Sequence, residues 1–78
     1  MRYPLSVPRT ADGALKVTVL RWLKSVGDDV LKGEDLAEVK TEKISLYITA
    51  PESGKLSEIL AQPGTLVSVG EVIGYVEG

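Results

Sequence analysis

Short alternating runs, cut at regular intervals by glycine and proline, organise this chain. Tyr3-Pro4-Leu5-Ser6-Val7 alternates as a short edge strand does, and Pro4 is tolerable there because no neighbour needs its missing N–H. Pro8-Arg9-Thr10-Ala11-Asp12-Gly13 collects turn formers and predicts an exposed loop. From Ala14 to Val26 two patterns compete. Leu15, Val19, Trp22, Leu23 and Val26 fit a helical stripe, whereas Leu15, Val17 and Val19 alternate like a strand before the phase shifts to Leu20 and Trp22. The β-branched triplet Val17-Thr18-Val19 favours the strand, and a phase switch inside a strand is what a β-bulge produces.

Gly27-Asp28-Asp29 reads as a turn, and Val30-Leu31-Lys32-Gly33-Glu34-Asp35 as a brief step to a second one. Leu36-Ala37-Glu38-Val39 then runs as a strand into a polar tip, and Ile44-Ser45-Leu46-Tyr47-Ile48 runs out of it. Two strands joined by Lys40-Thr41-Glu42-Lys43 make a hairpin. That tip holds neither Asn-Gly nor any glycine, so a type I geometry, which accepts most residues, is expected over the primed turns. Beyond it, Ala50-Pro51-Glu52-Ser53-Gly54 reads as a loop, Lys55–Leu60 as a strand, Gln62-Pro63-Gly64 as a turn and Val72–Val76 as the closing strand.

The second half repeats the first. Gly27, Val30, Gly33, Glu34, Leu36 and Val39 match Gly64, Val67, Gly70, Glu71, Ile73 and Val76 at one constant offset, and Val19 and Trp22 fall on Leu56 and Ile59 at the same offset. Apolar and glycine matches held in register indicate an internal repeat. Two quasi-equivalent sets of short strands in so small a chain imply two sheets packed face to face, a flattened barrel or sandwich. The pseudo-two-fold would exchange the Lys43 tip with the meeting point of the termini, so the two should lie at opposite ends.

Composition narrows the function. With 78 residues the chain is read as one domain, residues 1–78. Its net charge is −2 with basic and acidic residues interspersed, so the basic stripe of a nucleic-acid binder is missing. No apolar run reaches membrane-spanning length and the N-terminus lacks a signal-peptide h-region; no membrane partner and a cytoplasmic location are expected. The absence of cysteine and histidine removes the commonest nucleophiles, general bases and zinc ligands, leaving a non-catalytic carrier, binder or scaffold rather than an enzyme.

One candidate for chemistry stands out by position. Lys43 occupies the tip at the break of the repeat, exposed, held by a turn and far from either end, as a group that visits several partners would need to be. Most lysines in such turns only solubilise a surface. Glu42 and Thr41 can be read either as turn residues or as flanking recognition elements. Trp22 is read as packing area. Gly27, Gly54 and Gly64 are read as turn glycines needing positive φ or close approach.

Nearly the whole chain resembles a lipoyl domain of the biotinyl/lipoyl carrier family, as found in 2-oxo acid dehydrogenase complexes. The family's Glu-Thr-Asp-Lys-Ala tip is matched by Lys40-Thr41-Glu42-Lys43-Ile44, and its Trp strand followed by Gly-Asp-x-Val and Gly-Asp/Glu-x-Leu by Trp22, Gly27–Val30 and Gly33–Leu36. Ala50-Pro51-Glu52-Ser53-Gly54 and Gly64–Gly70 fit its Ala-Pro-x-x-Gly and closing Gly-rich runs. Departures are Lys40 for the usual Glu, Ile44 for a small residue, and a first loop reading Ala11-Asp12-Gly13 and Lys16-Val17; in the family that loop takes part in recognition by the decarboxylase.

The resemblance implies an all-β flattened barrel of two four-stranded antiparallel sheets and lipoic acid in amide linkage on Lys43. It further implies a lipoate ligase or lipoyl transferase as modifying partner. The arm would serve a 2-oxo acid decarboxylase (E1), an acyltransferase core (E2) and dihydrolipoamide dehydrogenase (E3). The isolated domain is expected to be monomeric. A biotin carrier shares the fold but usually sets its lysine between two methionines, where this chain has Glu42 and Ile44. An unmodified structural adaptor is the third reading.

Overall fold

The computed structural model describes all residues from Met1 to Gly78, in eight strands and no helix. They are β1 (Arg2–Ser6), β2 (Lys16–Trp22), β3 (Asp29–Val30), β4 (Asp35–Lys40), β5 (Ser45–Thr49), β6 (Gly54–Ile59), β7 (Leu66–Ser68) and β8 (Val72–Glu77). Two four-stranded antiparallel sheets result, ordered β1-β8-β6-β3 and β5-β4-β2-β7. The expected strand through Val17-Thr18-Val19 forms, and its phase switch is a β-bulge between Val19 and Arg21. β1 is an edge strand, which accommodates Pro4.

The repeat seen in the sequence is an operation of the structure. It carries β2 onto β6, β3 onto β7, β4 onto β8 and β5 onto β1, so one sheet order maps onto the other. The β2 bulge recurs between Leu56 and Glu58. Gly27 N–H donates to Leu56 O and Gly64 N–H to Val19 O, both at 2.7 Å. Leu31 N–H donates to the Glu34 carboxylate and Ser68 N–H to that of Glu71, both at 2.9 Å. Glu34 and Glu71 therefore recur because each closes the same turn.

Alternation along the strands drives one apolar set inward. Fifteen apolar side chains are buried, among them the paired positions Val19 and Leu56, Val30 and Val67, Leu36 and Ile73, and Val39 and Val76. No polar side chain joins them. Each fully buried Leu, Ile or Val contributes roughly 1.5–3 kcal/mol. Trp22 packs against this core and its indole N–H donates to Ala61 O at 2.8 Å, so it supplies area and ties down the loop after β6.

One strand was not foreseen from the sequence, and one local expectation is corrected. Leu66–Ser68 forms β7, although only three residues long, because β2 offers it Val17 and Thr18 as partners. Gly54 is the first residue of β6 rather than the end of a loop, and its need for glycine is one of close approach: a Cβ there would lie 2.1 Å from Glu77 O. Gly27 and Gly64 have φ of 97° and 90°, as turn glycines should.

The tip and the chain ends lie apart, separated by the length of β5 and the loop that follows it. β5 leaves the tip at Ser45 and runs to Thr49, and the loop that follows brings Ser53 against Gly78. There the N-terminal ammonium donates to Gly78 O and Gly78 N–H to Met1 O, each at 2.9 Å.

Candidate functional site

The β4–β5 hairpin ends in a two-residue excursion. Lys40 faces Ser45 in the ladder, and Thr41 N–H donates to Ile44 O at 2.8 Å, leaving Glu42 and Lys43 at the outermost positions. No non-glycine residue has positive φ, which excludes the primed and type II turns and fits the type I geometry expected from the residues. Inside the turn, Thr41 Oγ1 accepts from the backbone N–H groups of Lys43 and Ile44, both at 3.1 Å. A threonine hydroxyl thus does what a backbone carbonyl does in a standard turn, and the lysine stands on a braced support.

The hydroxyl proton of Thr41 goes to Asp12 Oδ2 at 2.7 Å, across 29 positions of sequence. Ile44 O, at 3.4 Å, is the poorer acceptor. Asp12 is itself held by Thr10 Oγ1, which donates to Oδ1 at 2.6 Å, and by Ala14 N–H at 3.2 Å. The loop preceding β2 is therefore clasped to the tip by one carboxylate with both oxygens engaged. The Thr10 hydroxyl, then that of Thr41, hold the Asp12 carboxyl below its ordinary range despite partial desolvation.

Between loop, tip and sheet lies an open groove of about 530 Å³. Asp12, Lys16, Thr18, Lys40, Lys43 and Leu66 are among the residues that line it. The lysines of the chain divide sharply here. Lys24, Lys32 and Lys55, away from the groove, pair with Glu34, Glu52 and Asp29 at 3.0, 3.8 and 3.5 Å. Lys16, Lys40 and Lys43, on the groove, take part in no ion pair.

All three sequence-derived site residues, Thr41, Glu42 and Lys43, meet at this tip with Lys40 beside them. Glu42 is exposed and makes no ion pair. Sequence reasoning missed Asp12 and Lys16 as members of the site. The signal for Asp12 was local, a Thr10-x-Asp12-Gly13 turn with a self-bonded carboxylate, but nothing in the sequence ties it to Thr41. The residues fit a covalently attached group on Lys43: an exposed amine, free of carboxylates, on a turn braced from below.

Three comparisons bear on this site. Residues 4–76 match the protein family described as biotin-requiring enzyme. The chain is 43% identical over 72 residues to the dihydrolipoyllysine-residue succinyltransferase component of the 2-oxoglutarate dehydrogenase complex of Bacillus subtilis, covering 92% of this chain and 17% of that protein. It is 37% identical over 76 residues to the dihydrolipoyllysine-residue acetyltransferase component of the pyruvate dehydrogenase complex of Corynebacterium glutamicum, covering 97% of this chain and 11% of that one. The chain thus spans under a fifth of either relative. In structure it is similar to the lipoyl domain of the 2-oxoglutarate dehydrogenase complex from Azotobacter vinelandii, with a TM-score of 0.76 and 25% identity over 96% of this chain and 95% of that domain.

Proposed function

The chain belongs to the biotinyl/lipoyl carrier family, and on that premise we propose that it is a covalent lipoyl carrier domain of a 2-oxo acid dehydrogenase complex, with Lys43 as the attachment point. The observation that carries this reading is the braced Lys43, free of ion pairs, at the tip of the β4–β5 hairpin. Lipoyl is favoured over biotinyl because Glu42 and Ile44 flank the lysine and because the relatives are dihydrolipoyllysine-residue acyltransferases.

Lys43 Nζ would hold lipoic acid as an amide, which removes the lysine charge. Bound there, the group supplies a dithiolane that takes up acyl groups and electrons. The chain's own residues attach, position and present. Thr41 fixes the backbone that carries the lysine, and Asp12 fixes Thr41. Glu42, exposed beside the lysine, is available to be read by a lipoate ligase or lipoyl transferase. The 2-oxo acid decarboxylase, the acyltransferase core and dihydrolipoamide dehydrogenase would meet the tip in turn, and the tether would raise the arm's concentration at each.

Intact-mass measurement after co-expression with a lipoate ligase tests the assignment. One lipoyl adduct is expected, lost in Lys43→Arg and retained in Lys40→Arg. An adduct that survives Lys43→Arg, or retention on avidin after incubation with a biotin ligase, would overturn it.

A further inference from the structure

We propose, resting on the carrier reading of Lys43, that Lys16 and Lys40 are intramolecular acyl acceptors: an acyl thioester on the Lys43 arm is captured by these two amines as a stable amide.

The division of the lysines carries this. Three are occupied by carboxylates on other faces, and the two that share the groove with Lys43 are not. Of the groove's carboxylates, Asp12 already engages Thr10, Thr41 and Ala14, and Glu42 pairs with neither amine. Lys40 closes β4 opposite Thr18, and Lys16 opens β2 two residues nearer the tip, so both amines stand on the sheet face directly below the hairpin. An arm anchored at Lys43 sweeps this face at the high local concentration of a short tether. Competing nucleophiles are scarce, for the chain has no cysteine and no histidine, and the Thr41 hydroxyl is committed to Asp12.

The step balances without an outside reagent. Neutral Nζ of Lys16 or Lys40 attacks the thioester carbonyl, a C–N bond forms and the C–S bond breaks. The dihydrolipoyl sulfur leaves as a thiolate and takes up the proton the amine loses. No oxidation state changes. The product is an N-acyl-lysine on the groove and a freed dithiol on Lys43. One positive charge disappears from the face that partners meet.

The test uses the lipoylated 78-residue chain, reduced and S-acetylated by thiol exchange with an acetyl thioester, then desalted and held at pH 8.5. Because the chain lacks cysteine, every thioester-bound acetyl is on the arm. The expected result is first-order conversion to hydroxylamine-stable acetyl, independent of protein concentration. Peptide mapping should find it on Lys16 and Lys40 at about tenfold or more over Lys24, Lys32 and Lys55 together. The unlipoylated chain, given the same acetyl thioester, should show no such bias. In Lys16→Arg/Lys40→Arg, charge is kept and the stable fraction should fall to that background. Stable acetyl spread evenly over all lysines, rates that scale with protein concentration, or loss of the thioester by hydrolysis alone each overturn the proposal. Absence of the initial lipoyl mass on Lys43 would instead sink the carrier reading itself, and this inference with it.

Discussion

Replacing Gly54 by alanine plants a methyl group 2.1 Å from Glu77 O, 2.8 Å from Glu77 C and 2.9 Å from Gly78 Cα. All three neighbours are backbone atoms, so no side chain can swing aside. Carbon atoms pack best at about 3.5–4.0 Å, and β6 must part from β8 by more than about 1 Å to restore that spacing. The pairs that suffer are Lys55 with Glu77 and the closure of Gly78 on Met1. Overpacking of this kind costs about 1–3 kcal/mol, and the weakened strand bonds about 1 kcal/mol more. The lower entropy of the unfolded alanine chain returns about 0.4–1 kcal/mol. The net loss is then about 2 kcal/mol, or a fall in Tm of roughly 10 °C for a domain of this size. Urea unfolding followed by Trp22 fluorescence measures it. A second arm isolates the cause: in a chain ending at Val76 the methyl has nothing to strike, and the Gly54→Ala penalty should shrink to within about 0.5 kcal/mol of zero. A penalty that persists unchanged in the shortened chain, or one absent from the full-length chain, would refute the reasoning.

Thr41→Val removes the acceptor of the Lys43 and Ile44 amides, so their hydrogen exchange should speed while that of Val39 stays slow, and ligase-driven modification of Lys43 should slow several-fold; unchanged exchange at Ile44 would contradict the brace. For Asp12 the folded carboxyl titrates below its unfolded value of 3.8, so its stabilisation is complete above that value and is lost as pH falls through the lower folded value. The stability difference between the parent and Asp12→Asn should therefore be largest at neutral pH and vanish in acid, as denaturant titrations at several pH values would read. Trp22→Phe forfeits the indole bond to Ala61 O and some packing, at about 1–2 kcal/mol; a variant as stable as the parent would mean that this bond holds nothing.

The fold was legible because its repeat leaves traces in residue type. A turn glycine with positive φ, a glutamate that accepts from the turn's own amide and an inward Leu, Ile or Val must each occur twice, and they do at one offset. The β2 bulge was legible for a related reason, since an extra residue shifts the alternation at Leu20. β7 was not, because a strand of three residues carries too little pattern and its pairing with β2 is non-local. The same limit hid the Asp12 bond to Thr41, whose two halves look like independent turn residues. Where the repeat fails is also informative. Val17 and Gly54 occupy equivalent places, yet one carries a buried side chain and the other none, because only Gly54 sits beneath the crossing of the chain ends.

The paired ends of the chain have a mechanical consequence. Met1 and Gly78 lie side by side at the open end of the antiparallel β1–β8 ladder, and β1 has no second neighbour to hold it. Force applied between them would pull across the ladder rather than along it, opening its hydrogen bonds one after another like a zip. A domain loaded in shear resists with many bonds at once; this one yields at its hem, with the Lys43 turn the part last reached by the load.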